Sequence, residues 1–114
     1  MTAVRASLAA LIIALAGSHG EARAASAENG KRLFMKVGCY ECHGTQGQGG
    51  SAGPRIAPDP MAFEALATFV RTSSRQMPPF RQAILSDADL ADIYAYMKSI
   101  PKPPDVAALP QLNR

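Results

Sequence analysis

The chain has 114 residues, enough for one small domain. Its formal charge of +3 falls to +2 if Arg5, Glu21 and Arg23 are removed with the N-terminal segment described next, and the lysines are then only Lys31, Lys36, Lys98 and Lys102. That excludes the dense basic stripe of a nucleic-acid binder and gives little basis for a positively charged docking ring.

The first segment reads as a secretory leader. Arg5 supplies a positive start, residues 6–16 are unbroken apolar sequence, and Ala22-Arg23-Ala24 offers the small residues a signal peptidase reads. The apolar run is too short to span a bilayer comfortably, and Gly17-Ser18-His19-Gly20 breaks it abruptly. The expected organisation is a signal peptide over 1–24, a folded domain over 25–101 and a proline-rich tail over 102–114. Membrane attachment is expected only if the leader stays uncleaved. Export points to a bacterial periplasm. About 90 residues remain, a size at which apolar burial alone is marginal.

Three main helices are predicted, with no strand. The first covers 27–37, with Gly30, Phe34 and Val37 on one face and Leu33 beside them. Glycine inside a helix costs about 1 kcal/mol against alanine, so Gly30 signals close approach by another element or a fraying first turn. Gly38 is a natural C-cap.

Directly after it stands Cys39-Tyr40-Glu41-Cys42-His43, which holds the only cysteines in the chain. Two thiols separated by two residues and followed by a histidine form a covalent haem-attachment run. One backbone turn brings both sulfurs to one edge of a porphyrin, where each can form a thioether to a vinyl group. It also carries the imidazole under the iron. A thioredoxin-like disulfide needs a surrounding βαβ pattern that is missing here. A structural zinc site needs four ligands, and His43 is too close in sequence to complete a tetrahedron with both cysteines.

Residues 44–54 are too glycine-rich for helix or strand. Because the stretch follows His43 and ends in Gly53-Pro54, it is expected to wrap the site, with the Pro54 carbonyl accepting the second ring N–H of the histidine. A second helix is predicted from Asp59-Pro60, with Asp59 as N-cap, to about 72–74. Phe63, Leu66, Ala67 and Val70 form its apolar face, and Phe69 lies off that stripe, toward the porphyrin. The third helix starts at Ser86 with Asp89 three residues on, a capping-box pattern. Its stripe is Leu90, Ile93, Tyr94, Met97 and Ile100, and Pro101 ends it. The tail is expected to be an extended arm.

His43 is expected to fill one axial position on the iron. With His19 in the leader, no second histidine remains, so the other candidates are Met35, Met61, Met77 and Met97. Met35 is tethered to the proximal side by Cys39, Met97 belongs to a core stripe, and Met61 sits at a helix start. Met77 lies in Gln76-Met77-Pro78-Pro79-Phe80, where two prolines stiffen the backbone and lower the entropy lost in holding a thioether on iron. Elimination favours Met77, with an open or water-bound position as the alternative.

These residues resemble those of class I cytochromes c over roughly 27–100. The attachment run carries the likeness, Gly53-Pro54 is similar to the turn that bonds the proximal histidine, and Met77-Pro78 is similar to the distal methionine loop. The family crosses its first and last helices through a glycine and an aromatic against an aromatic. Gly30 and Phe34 match the first side, and Tyr96 fits the second with Ile93 beside it, although Tyr96 lies off the main stripe, so either tyrosine is open as the contact. The chain departs from the longer mitochondrial pattern in lacking tryptophan, and Arg55 stands where a propionate partner is conceivable.

The resemblance implies an all-α small cytochrome c fold: three main helices and loops around one covalently attached haem c. Cys39, Cys42, His43 and Met77 bind the cofactor, and His43 and Met77 bind its metal. The implied function is periplasmic electron transfer, with a dehydrogenase or a terminal oxidase or reductase as redox partner and no catalytic residue of its own. A freely diffusing shuttle and a small haem subunit of such a complex are both open. The alternative is a haem enzyme with an exchangeable sixth ligand, which usually needs polar distal groups that Met-Pro-Pro-Phe does not offer.

Overall fold

The structure is a computed structural model and describes residues 23–112, so the expected leader lies outside it except for Arg23 and Ala24. Four α-helices follow one another: α1 (Ala27–Lys36), α2 (Cys39–His43), α3 (Phe63–Thr72) and α4 (Asp87–Ser99). No strand occurs among the described residues.

Helix α1 is capped by the Ser26 side chain, which accepts from the Asn29 amide at 3.2 Å. Its C-cap is Val37, one residue before the expected Gly38, and Gly38 turns the chain in the left-handed region at φ 85° just past the cap. Helix α4 carries the full capping box: Ser86 accepts from the Asp89 amide, and Asp89 accepts from the Ser86 amide.

The expected start of the second long helix is corrected. It begins at Phe63, behind Ala62, whose ψ of 144° is not helical. Asp59 caps nothing and instead pairs with Lys102 at 3.2 Å, both side chains exposed. The tail is likewise more structured than an extended arm. It forms two single-turn 3-10 helices, Val106–Ala108 and Pro110–Leu112, the first started by Asp105 accepting from the Ala107 amide at 3.0 Å.

The dominant packing is α1 across α4. A Cβ on Gly30 would stand 1.8 Å from the Asp92 carbonyl oxygen, so close approach explains this glycine and fraying does not. One turn on, Phe34 is fully buried and meets Tyr96 edge-to-face at 5.6 Å and 66°. Such a pair adds about 0.5–1.5 kcal/mol beyond area burial. Tyr96 is thus the crossing aromatic, while Tyr94 packs on Phe63 at 5.4 Å and ties α4 to α3. Leu66, Val70, Leu85, Leu90, Ile93 and Met97 complete the core and form the floor beneath the site.

Candidate functional site

Helix α2 places Cys39, Cys42 and His43 at i, i+3 and i+4, so the two thiols and the imidazole share one face. The two cysteines are not bonded to each other; Cys39 is half-buried and Cys42 exposed. Burial pushes the Cys39 thiol up to about 11, and a backbone hydrogen bond offsets only part of this. A thiol held protonated is a poor thiolate nucleophile, which speaks against disulfide exchange as its role. No cluster of three or more His, Cys, Asp or Glu side chains among the described residues is arranged to hold a metal ion.

His43 is buried, and its Nδ1 lies 2.8 Å from the Pro54 carbonyl oxygen. A carbonyl can only accept, so Nδ1 carries the hydrogen and Nε2 keeps its lone pair. No buried side-chain nitrogen or oxygen lacks a partner among the described residues, so Nε2, which bonds no protein group, opens on the adjoining cavity. The loop lies directly on α2: a Cβ on Gly53 would stand 2.9 Å from the Cys42 carbonyl oxygen. The Gly49 amide also donates to the His43 carbonyl at 2.7 Å. At the loop's start, the Tyr96 hydroxyl donates to the Thr45 carbonyl at 2.7 Å and fastens the segment to α4.

Across the cavity runs the loop that carries Met77. Pro78 and Pro79 have no N–H, so this loop cannot hold itself by backbone donors at those positions. Groups from α3 hold it instead. The Ser73 hydroxyl donates to the Met77 carbonyl at 2.8 Å, and the Phe80 amide donates to the Val70 carbonyl at 2.9 Å. Arg71 donates from one guanidinium nitrogen to the Phe80 carbonyl and from the other to Asp87 on α4, each at 2.8 Å. Sequence reasoning read Ser73 only as a helix end and passed over Arg71. A polar residue just before a proline-stiffened loop was the available signal.

Between α2 and the Met77 loop lies a cavity of about 810 Å³, with Cys39, Cys42, His43, Pro54, Phe69 and Met77 all on its wall. A second cavity of about 150 Å³ shares Cys39, His43, Pro54, Phe69, Met77 and Phe80 with it and reaches down to Phe34, Leu90 and Met97. Met77 is the only methionine on the wall of the larger cavity. Met61 and Met97 reach only the smaller one, and Met35 lines neither. Arg55 lines neither cavity, whereas Arg75 and Glu41 are the charged side chains on the larger wall.

An all-helical domain with a Cys-x-x-Cys-His helix on one wall of its main cavity has the build of a class I, monohaem cytochrome c. Residues 25–97 match the family described as cytochrome c oxidase, cbb3-type, subunit III, and the chain belongs to that family. No curated protein and no solved structure matches it. Membership implies a covalently bound haem c and a role in electron transfer. The residues fit that cofactor: a large, mostly apolar cavity, two thiols on one helical face and an imidazole whose second nitrogen is fixed as a donor of its lone pair. Cytochrome c domains typically work outside the cytoplasm, and no helix among the described residues is long and apolar enough to cross a membrane.

Proposed function

We propose that this protein is a periplasmic electron-transfer cytochrome, exported by a leader over residues 1–24, with its working domain over 25–101 and a tail over 102–114. In this reading Cys39 and Cys42 would anchor the haem by two thioethers, and His43 and Met77 would hold its iron. The bound haem supplies one-electron chemistry between Fe(II) and Fe(III). The protein's part is to hold both ligands still. Pro54 fixes the His43 ring by its hydrogen bond, and Ser73 and Arg71 fix the backbone at Met77 itself and at Phe80 beyond it. Ligands that do not move keep the reorganisation accompanying transfer small. Phe69, Phe80 and the core floor keep the interior apolar.

The observation that carries the proposal is a single cavity with the attachment run on one side and Met77 across from it, with the imidazole already oriented by Pro54. The low lysine count and the family's description as an oxidase subunit favour a dedicated redox complex over a general shuttle. A dehydrogenase or terminal oxidase is then the partner, docking over a small surface that permits release.

The test is an optical spectrum of the secreted protein, oxidised and reduced. A covalent haem with a sulfur-to-iron charge-transfer band is expected, and Met77→Ala should lose the band while keeping the haem. A band that survives the substitution places the sixth ligand elsewhere, and a colourless protein rejects the proposal.

A further inference from the structure

Asp92 is the only buried acid among the described residues, at 1 % relative exposure. It sits on α4 where Gly30 crosses, and nothing in the electron-transfer site uses it. Its carboxylate accepts the Ser26 amide at 2.6 Å, the Asn29 side-chain amide at 2.6 Å and the guanidinium of Arg23. Among the described residues Arg23 is its only cationic partner, on a side chain that is 60 % exposed. A buried carboxylate stripped of its cation is costly, because neutral donors do not replace a charge.

Arg23 belongs to the segment expected to be removed. Cleavage after Ala24 takes away the guanidinium and in the same step creates an ammonium on Ala25. Ala25 adjoins Ser26, whose own amide already touches the carboxylate. One residue spans about 3.8 Å, so the new charge lies no more than about 6 Å from the carboxylate, a gap that rotation about the Ala25 backbone closes to an ion pair. The charge of the cluster is the same before and after the cut.

We infer that the Asp92 carboxylate is a built-in receptor for the mature chain's own N-terminal ammonium, which takes over from Arg23 when residues 1–24 are removed. The site selects its ligand by position. The ammonium must sit one residue before Ser26, where α1 begins, and the pair then locks the start of α1 to the middle of α4 beside the Gly30 contact. The inference rests on the leader proposed above.

The experiment uses the full chain, secreted and loaded with haem in a host with attachment machinery. Intact mass identifies the processed start, and N-terminal acylation is then timed at pH 7.5 with Lys31, Lys36, Lys98 and Lys102 as internal references. A carboxylate beside the α-amine keeps it protonated and unreactive. Wild-type protein starting at Ala25 is expected to acylate at its N-terminus about tenfold more slowly than Asp92→Asn, with the lysines unchanged. Inserting Gly-Gly between Ala25 and Ser26 preserves Asp92 and the cleavage site but displaces the ammonium, and should release the same tenfold. Equal rates in correctly processed wild type and variants overturn the pairing and leave the leader standing. A mass that retains residues 1–24 overturns the inference through the leader instead.

Discussion

Replacing Ser73 by alanine tests whether the methionine loop is held by α3. Ser73 is buried, and its hydroxyl is the group bonded to the Met77 carbonyl at 2.8 Å. Alanine removes that donor, and Pro78 and Pro79 have no N–H to offer in its place. Losing one partner of a buried hydrogen bond costs about 1–2 kcal/mol. The anchors at Phe80 remain, so the loop should stay folded but release Met77 more readily. A change of that size is a factor of about 5–30 in the equilibrium between Met77 on and off the iron. Imidazole titration of the oxidised holoprotein reads that equilibrium, because the added ligand competes with the thioether. Affinity for imidazole should rise about 5–30-fold in Ser73→Ala and return close to wild type in Ser73→Thr, which restores a hydroxyl. Unchanged imidazole affinity in Ser73→Ala would refute the claim that this hydrogen bond holds the ligand.

Gly30→Ala should destabilise the holoprotein by about 2 kcal/mol, because the new methyl meets backbone that cannot rotate away, and melting should fall by roughly 8–16 °C. A stability gain, as expected for this change at an exposed helical site, would contradict the close crossing. Arg71→Lys keeps the charge but cannot reach both the Phe80 carbonyl and Asp87, so the sulfur-to-iron band should titrate away at lower pH than in wild type. For Asp92, burial pushes the carboxyl up, but the bonds from Asn29, the Ser26 amide and Arg23, with the Arg23 charge, outweigh it and hold it down to about 2. A depressed carboxylate stabilises the fold above its unfolded value near 3.9, and that contribution is lost as pH falls toward 2. Thermal melts from pH 4 to 2 of a chain that retains Arg23 should therefore fall more steeply than those of the same chain carrying Asp92→Asn.

Local signals in this chain were legible wherever the chemistry involves near neighbours. The attachment run is five consecutive residues, and the Ser86–Asp89 cap is one helical turn, so both could be read without knowing what lies across the molecule. The expected start of α3 at Asp59 failed for the complementary reason. Asp59 has the right chemistry for a cap, but the backbone turns helical only at Phe63, and the exposed Asp59 carboxylate lies beside Lys102, more than forty residues away in sequence. The two tyrosines show the same limit. Tyr96 fits the crossing pattern but lies off the apolar stripe that holds Tyr94, so spacing leaves both open, and the choice depends on how α4 rotates against α1 and α3.

What the order of residues dictated was the helical class, the haem-bearing run and the candidate ligands, because helix periodicity and the Cys-x-x-Cys-His spacing act over a single turn. The Pro54 carbonyl on the His43 ring was legible as well, whereas folding in three dimensions settled which groups hold the rest: Ser73 and Arg71 against the Met77 loop, and Asp92 against the start of α1. These are contacts between segments distant in sequence or between a side chain and a loop carbonyl. Their partners are chosen by packing geometry, which no local pattern records.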